Sequence, residues 1–191
     1  MERTIKSQAH PDIDIQFLSV KAASEDLDFM TLLATASVKV RSDKGRVTQC
    51  KWQNKTRRHI CPGQPKWIYV GPHEMSSGNE SKTCIWSHPT KNGTLSITFP
   101  NPPLQSQLEF EHALSSNAVR SNNKSPVITE LLLDNKLLKK LSRSNQMGFQ
   151  TSKILTSQSA AKRLELKIKT KKDGARHYCF NLRAKMSEER Q

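Results

Sequence analysis

Short runs in which apolar and polar residues alternate are the tightest constraint this sequence places on its fold. Ala36, Val38 and Val40 alternate with Ser37, Lys39 and Arg41. The same period returns at Leu95, Ile97 and Phe99, at Leu164, Leu166 and Ile168, and at Tyr178, Phe180 and Leu182. Successive side chains of a strand point to opposite faces, so each run predicts a strand with one buried face. Turn chemistry sits beside them. Ser42-Asp43-Lys44-Gly45 leads into a return strand over 47–52. Lys91-Asn92-Gly93 joins a strand over 82–87 to the one bearing Leu95, and Lys171-Lys172-Asp173-Gly174 joins the last two runs. Such steps between alternating runs predict three antiparallel hairpins. Trp67-Ile68-Tyr69-Val70 reads as a shorter strand closed by Gly71-Pro72, with loops expected over 53–66 and 71–81.

One segment breaks the period. Ser125-Pro126 offers an N-cap serine and a proline at the first helical position, ahead of Leu131-Leu132-Leu133-Asp134-Asn135-Lys136-Leu137-Leu138. This predicts a leucine-rich helix over about 126–142, apolar around most of its cylinder. The expected class is therefore α+β: an antiparallel, hairpin-rich β domain with one helix and flexible termini. Residues 1–28 read as an acidic, weakly ordered segment in which Ile13, Ile15 and Phe17 alternate, and 29–112 as an antiparallel β region. Residues 113–185 read as linker, helix and basic C-terminal hairpin packing on the same domain, and 186–191 as a polar tail.

Charge sets the expected function class. Lys and Arg number 31 against 17 Asp and Glu, a net charge of +14. The balance is −3 over 1–30, +6 over 31–112 and +11 over 113–191. Small domains commonly carry a net charge of magnitude about 2–8, so the surplus points to a polyanion. If the last two runs form a hairpin, its outward face gathers Arg163, Lys167, Lys169 and Arg183, with Lys171 and Lys172 at the tip. Like charges on neighbouring strands are destabilising, and a bound polyanion would neutralise them. Lys55, Arg57 and Arg58, between Trp52 and Trp67, form a second basic cluster of the kind that pairs with phosphates while bases stack on rings. Trp52, Trp67 and Trp86 themselves read as core residues.

Four cysteines are few for a disulfide scaffold at 191 residues, and a reducing interior is expected. Cys50, Cys61, Cys84 and His88, with 10, 22 and 3 residues between them, form a candidate tetrahedral structural zinc site. No other cofactor is expected. Sequons at Asn54, Asn79, Asn92 and Asn123 read as by-products of a Ser/Thr/Asn-rich composition. The N-terminal residues lack an apolar secretory core, and no run of about 18 apolar residues offers a transmembrane helix. Nucleophile-elbow, zinc-peptidase, phosphate-loop and dinucleotide-binding motifs are absent, so a non-enzyme is expected.

The sequence thus predicts a basic polyanion-binding protein, RNA-binding, and a viral structural or accessory protein whose partner is RNA or a nucleoprotein. Its expected setting is the cytoplasm, nucleus or virion. One alternative is a matrix-like peripheral protein that links an anionic membrane surface to a nucleoprotein by electrostatic attachment. Another is a host-directed interaction factor using Leu131, Leu137, Leu138 and Leu141 as a partner surface. Self-association through that helix or through sheet edges would make a homo-oligomer.

Overall fold

The alternating runs become strands, but most of them pair with strands distant in sequence rather than as local hairpins. The computed structural model describes residues 26–156 and 161–185. Ile13, Ile15, Phe17 and the tail from 186 lie outside the described residues. The chain begins with β1 (Leu27–Asp28), a 3-10 helix (Phe29–Thr35), β2 (Ser37–Arg41), β3 (Val47–Gln53) and β4 (Arg58–Ile60). It continues through β5 (Tyr69–Ser77), β6 (Glu80–Ser87), β7 (Thr94–Pro100) and β8 (Gln107–Leu114) to a short helix, α1 (Ser116–Arg120). β9 (Val127–Leu133), β10 (Lys136–Arg143), β11 (Gln150–Leu155), β12 (Arg163–Lys169) and β13 (Tyr178–Lys185) complete it.

One sheet runs β10-β9-β12-β7-β2-β3 and the other β4-β5-β6-β13-β8-β11, with β1 beside β13. β3 carries the chain between them, pairing with β2 through residues 47–50 and with β4 through 51–53. The inward rows meet in one core. Val38, Leu95, Ile97, Leu131, Leu164 and Leu166 come from the first sheet, and Ile85, Leu108, Phe110, Phe180 and Leu182 from the second. Phe29 closes one end of it, edge-on to Phe99 at 5.0 Å between ring centroids.

The α+β expectation is corrected: strands make up 56% of the structure and helix 8%. The predicted helix over 126–142 is the hairpin β9–β10. Asp134 and Asn135, with φ of 47° and 71°, make its two-residue turn, a conformation those two residue types tolerate. Period two was present all along, since Val127, Thr129 and Leu131 are buried while Ile128, Glu130 and Leu132 are half-buried on the other face. The extra leucines obscured it. Leu131 and Leu141 belong to the core, Leu138 sits at a bulge in the register, and Leu137 is exposed, so these four share no helix face.

The β2–β3 hairpin forms as expected, with Val38 opposite Cys50. The other two expected hairpins do not. β6 pairs with β5 and β13, and β7 with β12 and β2, so Lys91-Asn92-Gly93 passes between layers. β12 lies between β7 and β9 while β13 lies in the opposite sheet. Alternation and turn residues suit an arch between layers as well as a hairpin, and only the long-range partner decides. The loop expected over 71–81 is instead the second half of β5, its turn to β6 and the start of β6. Gly71 explains the glycine there, because a Cβ would meet the Arg57 carbonyl oxygen and the Arg58 side chain, each at 2.7 Å.

Polar groups also cross the core. The Tyr178 hydroxyl of β13 lies 2.8 Å from His112 Nδ1 on β8 and 2.8 Å from Thr129 Oγ1 on β9, joining the two sheets. Burial pushes the His112 imidazole down from 6.5 to about 4. All four cysteines are paired: Cys50–Cys61 ties β3 to the segment after β4, and Cys84–Cys179 ties β6 to β13 across 95 residues.

Two predictions follow the fold. Loop-closure entropy favours the longer bridge, so C84S/C179S should lower the unfolding free energy about 2 kcal/mol more than C50S/C61S, read by denaturant titration. His112 binds a proton more readily unfolded than folded, so its contribution is complete above pH 6.5 and is lost as pH falls towards 4. Over that window it should remove roughly 3 kcal/mol, and the stability–pH profile of H112N should be correspondingly flatter.

Candidate functional site

The outer face of the second sheet carries a cluster separate from the core. Strand register aligns Gly71, Trp86, Cys179 and Ala113 in one row across β5, β6, β13 and β8, with His73 beside Cys84 in the next. Tyr69, Met75, Cys84, Trp86, Ala113 and Cys179 pack together there, and the Cys84–Cys179 bridge underlies the patch. Rings surround Trp86: Tyr69 stacks at 5.8 Å, and His73, His177 and His88 stand at 4.6, 5.5 and 5.9 Å between centroids. The Trp86 indole N–H donates to the Trp67 carbonyl at 2.9 Å and fixes the loop bearing Trp67, whose side chain is 58% exposed.

Two hollows flank this cluster and share His177. The smaller, about 200 Å³, is lined by Pro65, Trp67, His88, Asp173, Gly174, Ala175 and His177. The larger, about 380 Å³, runs along His73, Glu74, Trp86 and the Ser115–Asn117 corner. Their polar groups are held in place. His88 Nδ1 lies 2.8 Å from the Pro89 carbonyl oxygen and donates to it, which leaves Nε2 as an acceptor. His177 Nδ1 bonds Ser115 Oγ at 3.1 Å, His73 Nδ1 bonds the Tyr69 hydroxyl at 3.1 Å, and the Lys91 N–H donates to Asp173 Oδ2 at 3.0 Å. Arg176, fully buried beside His177, anchors the start of β13 by donating to Ala118 O at 2.7 Å and Asn145 Oδ1 at 2.8 Å.

Burial holds all three imidazoles below their ordinary range, with Arg58 adding to the effect at His73 and Arg176 at His177. Neutral imidazole has one donor and one acceptor nitrogen, the complement a hydroxyl needs. Beside it stand an exposed indole and a carboxylate. The arrangement can hold a polyhydroxylated ring edge-on to polar atoms and face-on to an aromatic.

The residues singled out from sequence are scattered by the fold. Arg163 bonds Asn135 Oδ1 and lies 3.5 Å from Glu165, Lys167 lies 3.8 Å from Glu165, and Lys169 bonds Glu130 at 2.7 Å, all on the first sheet. Arg183 is on the second sheet, 3.9 Å from Asp28. The basic face inferred from a β12–β13 hairpin does not exist. Lys55 and Arg57 occupy the β3–β4 turn and Arg58 opens β4, its guanidinium 4.2 Å from the Tyr69 ring centroid, and Lys171 and Lys172 precede Asp173. The zinc site is corrected too, because Cys50 and Cys61 bond each other and Cys84 bonds Cys179, leaving His88 with no thiolate. Among the described residues no group of three His, Cys, Asp or Glu is placed to hold a metal ion. Trp67, read as core, is the exposed rim of the smaller hollow. His73, Asp173 and His177, with His88 read only as a zinc ligand, were not recognised as one site because they converge only through the β5–β6–β13 pairing.

No protein-family model matches the chain, and no curated protein sequence matches it. Solved structures do. The tandem CBM51 modules of a family 98 glycoside hydrolase from Streptococcus pneumoniae match at a TM-score of 0.52 and 12% identity, over 95% of this chain and 52% of that one. A CBM51 from Clostridium perfringens GH95, in complex with methyl-galactose, matches at 0.49 and 12%, over 84% of this chain and all of that one. The CBM51-2 and INT domains of Clostridium perfringens ZmpB match at 0.45 and 10%, over 60% of this chain. This chain spans only 26% of that last structure and about half of the tandem one. At such identity the likeness is one of fold alone, that of a β-sandwich. The expectation of an RNA-binding viral protein, and with it that of an RNA or nucleoprotein partner, is corrected: the basic face on which it rested is dispersed over two sheets, and the fold matched at a TM-score of 0.52 is that of tandem CBM51 modules.

The imidazoles give a direct check. In a proton NMR titration, His73, His88 and His177 should each show a midpoint below 6.5, the ordinary histidine value.

Proposed function

We propose that this chain binds a carbohydrate, without transforming it, in the two hollows that meet at His177. One observation carries the reading: the exposed Trp67 indole stands beside a hollow lined by neutral His88 and His177 and by Asp173. A pyranose has an apolar C–H face and a rim of hydroxyls. The first suits an indole plane, and the second needs fixed donors and acceptors, since an unpaired hydroxyl in a closed site is costly. Trp67 supplies the plane. The imidazoles and Asp173 supply the rim, and each is already positioned by a second hydrogen bond or by packing. The neighbouring fold of CBM51 modules supports the same class of ligand.

Binding alone fits the side chains better than catalysis. Glycoside cleavage ordinarily takes a pair of carboxyl groups flanking the bond. Each hollow has a single carboxylate, Asp173 in the smaller and Glu74 in the larger, so neither holds a flanking pair, and one Asp173 oxygen accepts the Lys91 N–H. The two disulfides support an oxidising setting for the folded protein.

Titration calorimetry against a panel of mono- and oligosaccharides tests the proposal. At least one sugar should bind, and W67A should weaken it about 30-fold, equivalent to about 2 kcal/mol for a buried aromatic anchor. A panel with no binding sugar, or a W67A variant with unchanged affinity, would overturn the assignment.

A further inference from the structure

The loops that frame the smaller hollow are strongly one-signed. Segments 61–68, 88–93 and 171–177 together carry five Lys and Arg residues against one carboxylate, Asp173. The pairing of strands, rather than the sequence order, brings these segments to one end of the sandwich. Elsewhere several cations are neutralised locally, as Lys82 is by Glu80 and Glu111, and Lys169 by Glu130. At this end they are not. Lys66 precedes Trp67 on the rim, Lys91 donates its backbone N–H to Asp173, and Lys171 and Lys172 lead directly into Asp173. All four ammonium side chains belong to exposed residues, and none forms an ion pair among the described residues.

A concave site rimmed by charge of one sign raises the local concentration of ligands of the other sign and orients them. Asp173 does not cancel the field. One of its oxygens is held by the Lys91 N–H, and it is the single carboxylate among the residues lining the hollow, while Lys66 and Lys172 are chain neighbours of lining residues. The other acid of the site, Glu74, borders the larger hollow, so the two hollows differ in the charge they present. Resting on the carbohydrate reading above, we infer that the sugar preferred by this site is acidic. It carries a carboxylate or a sulfate ester directed to the Lys66, Lys91, Lys171 and Lys172 side of the smaller hollow. Its neutral ring lies against Trp67, with hydroxyls towards His88 and His177. The shared chemistry is an anionic substituent on a pyranose, and uronate or sulfate supplies it equally well.

Matched oligosaccharide pairs that differ only in charge provide the test. Oligogalacturonate is compared with its methyl ester, and sulfated galactan oligosaccharide with its desulfated form, by calorimetry at low and raised salt. At least one charged member should bind about tenfold or more tightly than its neutral partner, with the advantage shrinking as salt rises. The pair that shows it identifies carboxylate or sulfate. K171E/K172E should abolish the advantage, and K66E, in a different loop, should reduce it independently. Thermal melts verify that each variant is folded. Equal affinity within both pairs would overturn the inference and leave the carbohydrate reading standing. So would a charge advantage that survives both lysine variants, because the anion would then be met elsewhere. Failure of every oligosaccharide, charged and neutral, would remove the carbohydrate reading itself.

Discussion

A single buried cation organises the end of the molecule where the candidate site lies. The Arg176 guanidinium is fully buried and, among the described residues, forms no ion pair. Removing a charge from water is costly unless every donor is met, and here each is. Nε donates to Ala175 O, one terminal nitrogen to Ser125 O and Asn145 Oδ1, and the other to Ala118 O and Ser121 Oγ. Those acceptors belong to α1, to the segment before β9 and to the loop after β10. Residues 118–125, Asn145 and Arg176 itself, three stretches well apart in sequence, must converge for the guanidinium to be tolerated. Asn145 then completes the knot by donating to Val119 O at 2.8 Å. His177 is the next residue along the chain, so its position follows from this packing.

The same strand serves two purposes because successive side chains face opposite ways. On β13, Tyr178 and Phe180 enter the inter-sheet core, while Cys179 turns outward into the ring cluster. β6 does likewise, with Ile85 inward and Cys84 and Trp86 outward. A site of this kind needs no cavity through the core. It occupies a face, and its rigidity comes from a sheet already fixed on its other side and stapled by Cys84–Cys179.

Strand positions were largely readable from sequence, since alternation at Ala36–Val40, Leu95–Phe99, Leu164–Ile168 and Tyr178–Leu182 reflects real one-sided burial. Pairing was not. A run such as Leu164, Leu166, Ile168 specifies which face is apolar and says nothing about which strand lies beside it, so β12 and β13 looked like a hairpin although they belong to opposite layers. At β9–β10 the leucines fell on both faces, through the bulge at Leu138 and the half-covered outer side of β9, and imitated a helix. The site was least legible of all. Trp86 and His88 share a parity, but Trp67, His73, Asp173 and His177 join them only once β5, β6 and β13 are adjacent. The cysteines, considered together as metal ligands, are separated by the same pairing.

The sheet order leaves two open margins among the described residues, β10 and β11, because β3 joins the two layers at the other side. An unpaired strand margin is a template for another chain, and lysine side chains or a bulge make it unsuitable as one. β10 has both: Lys136, Lys139 and Lys140 are exposed along it, and its register breaks at Leu138. β11 has the exposed Lys153 beside Leu155, which is 79% exposed. Part of the large positive charge therefore keeps neighbouring copies from extending one another's sheets, a colloidal task distinct from recognition. The cost of such margins scales with concentration, so removing lysines from β10 would matter little in dilute solution and a great deal in a crowded one.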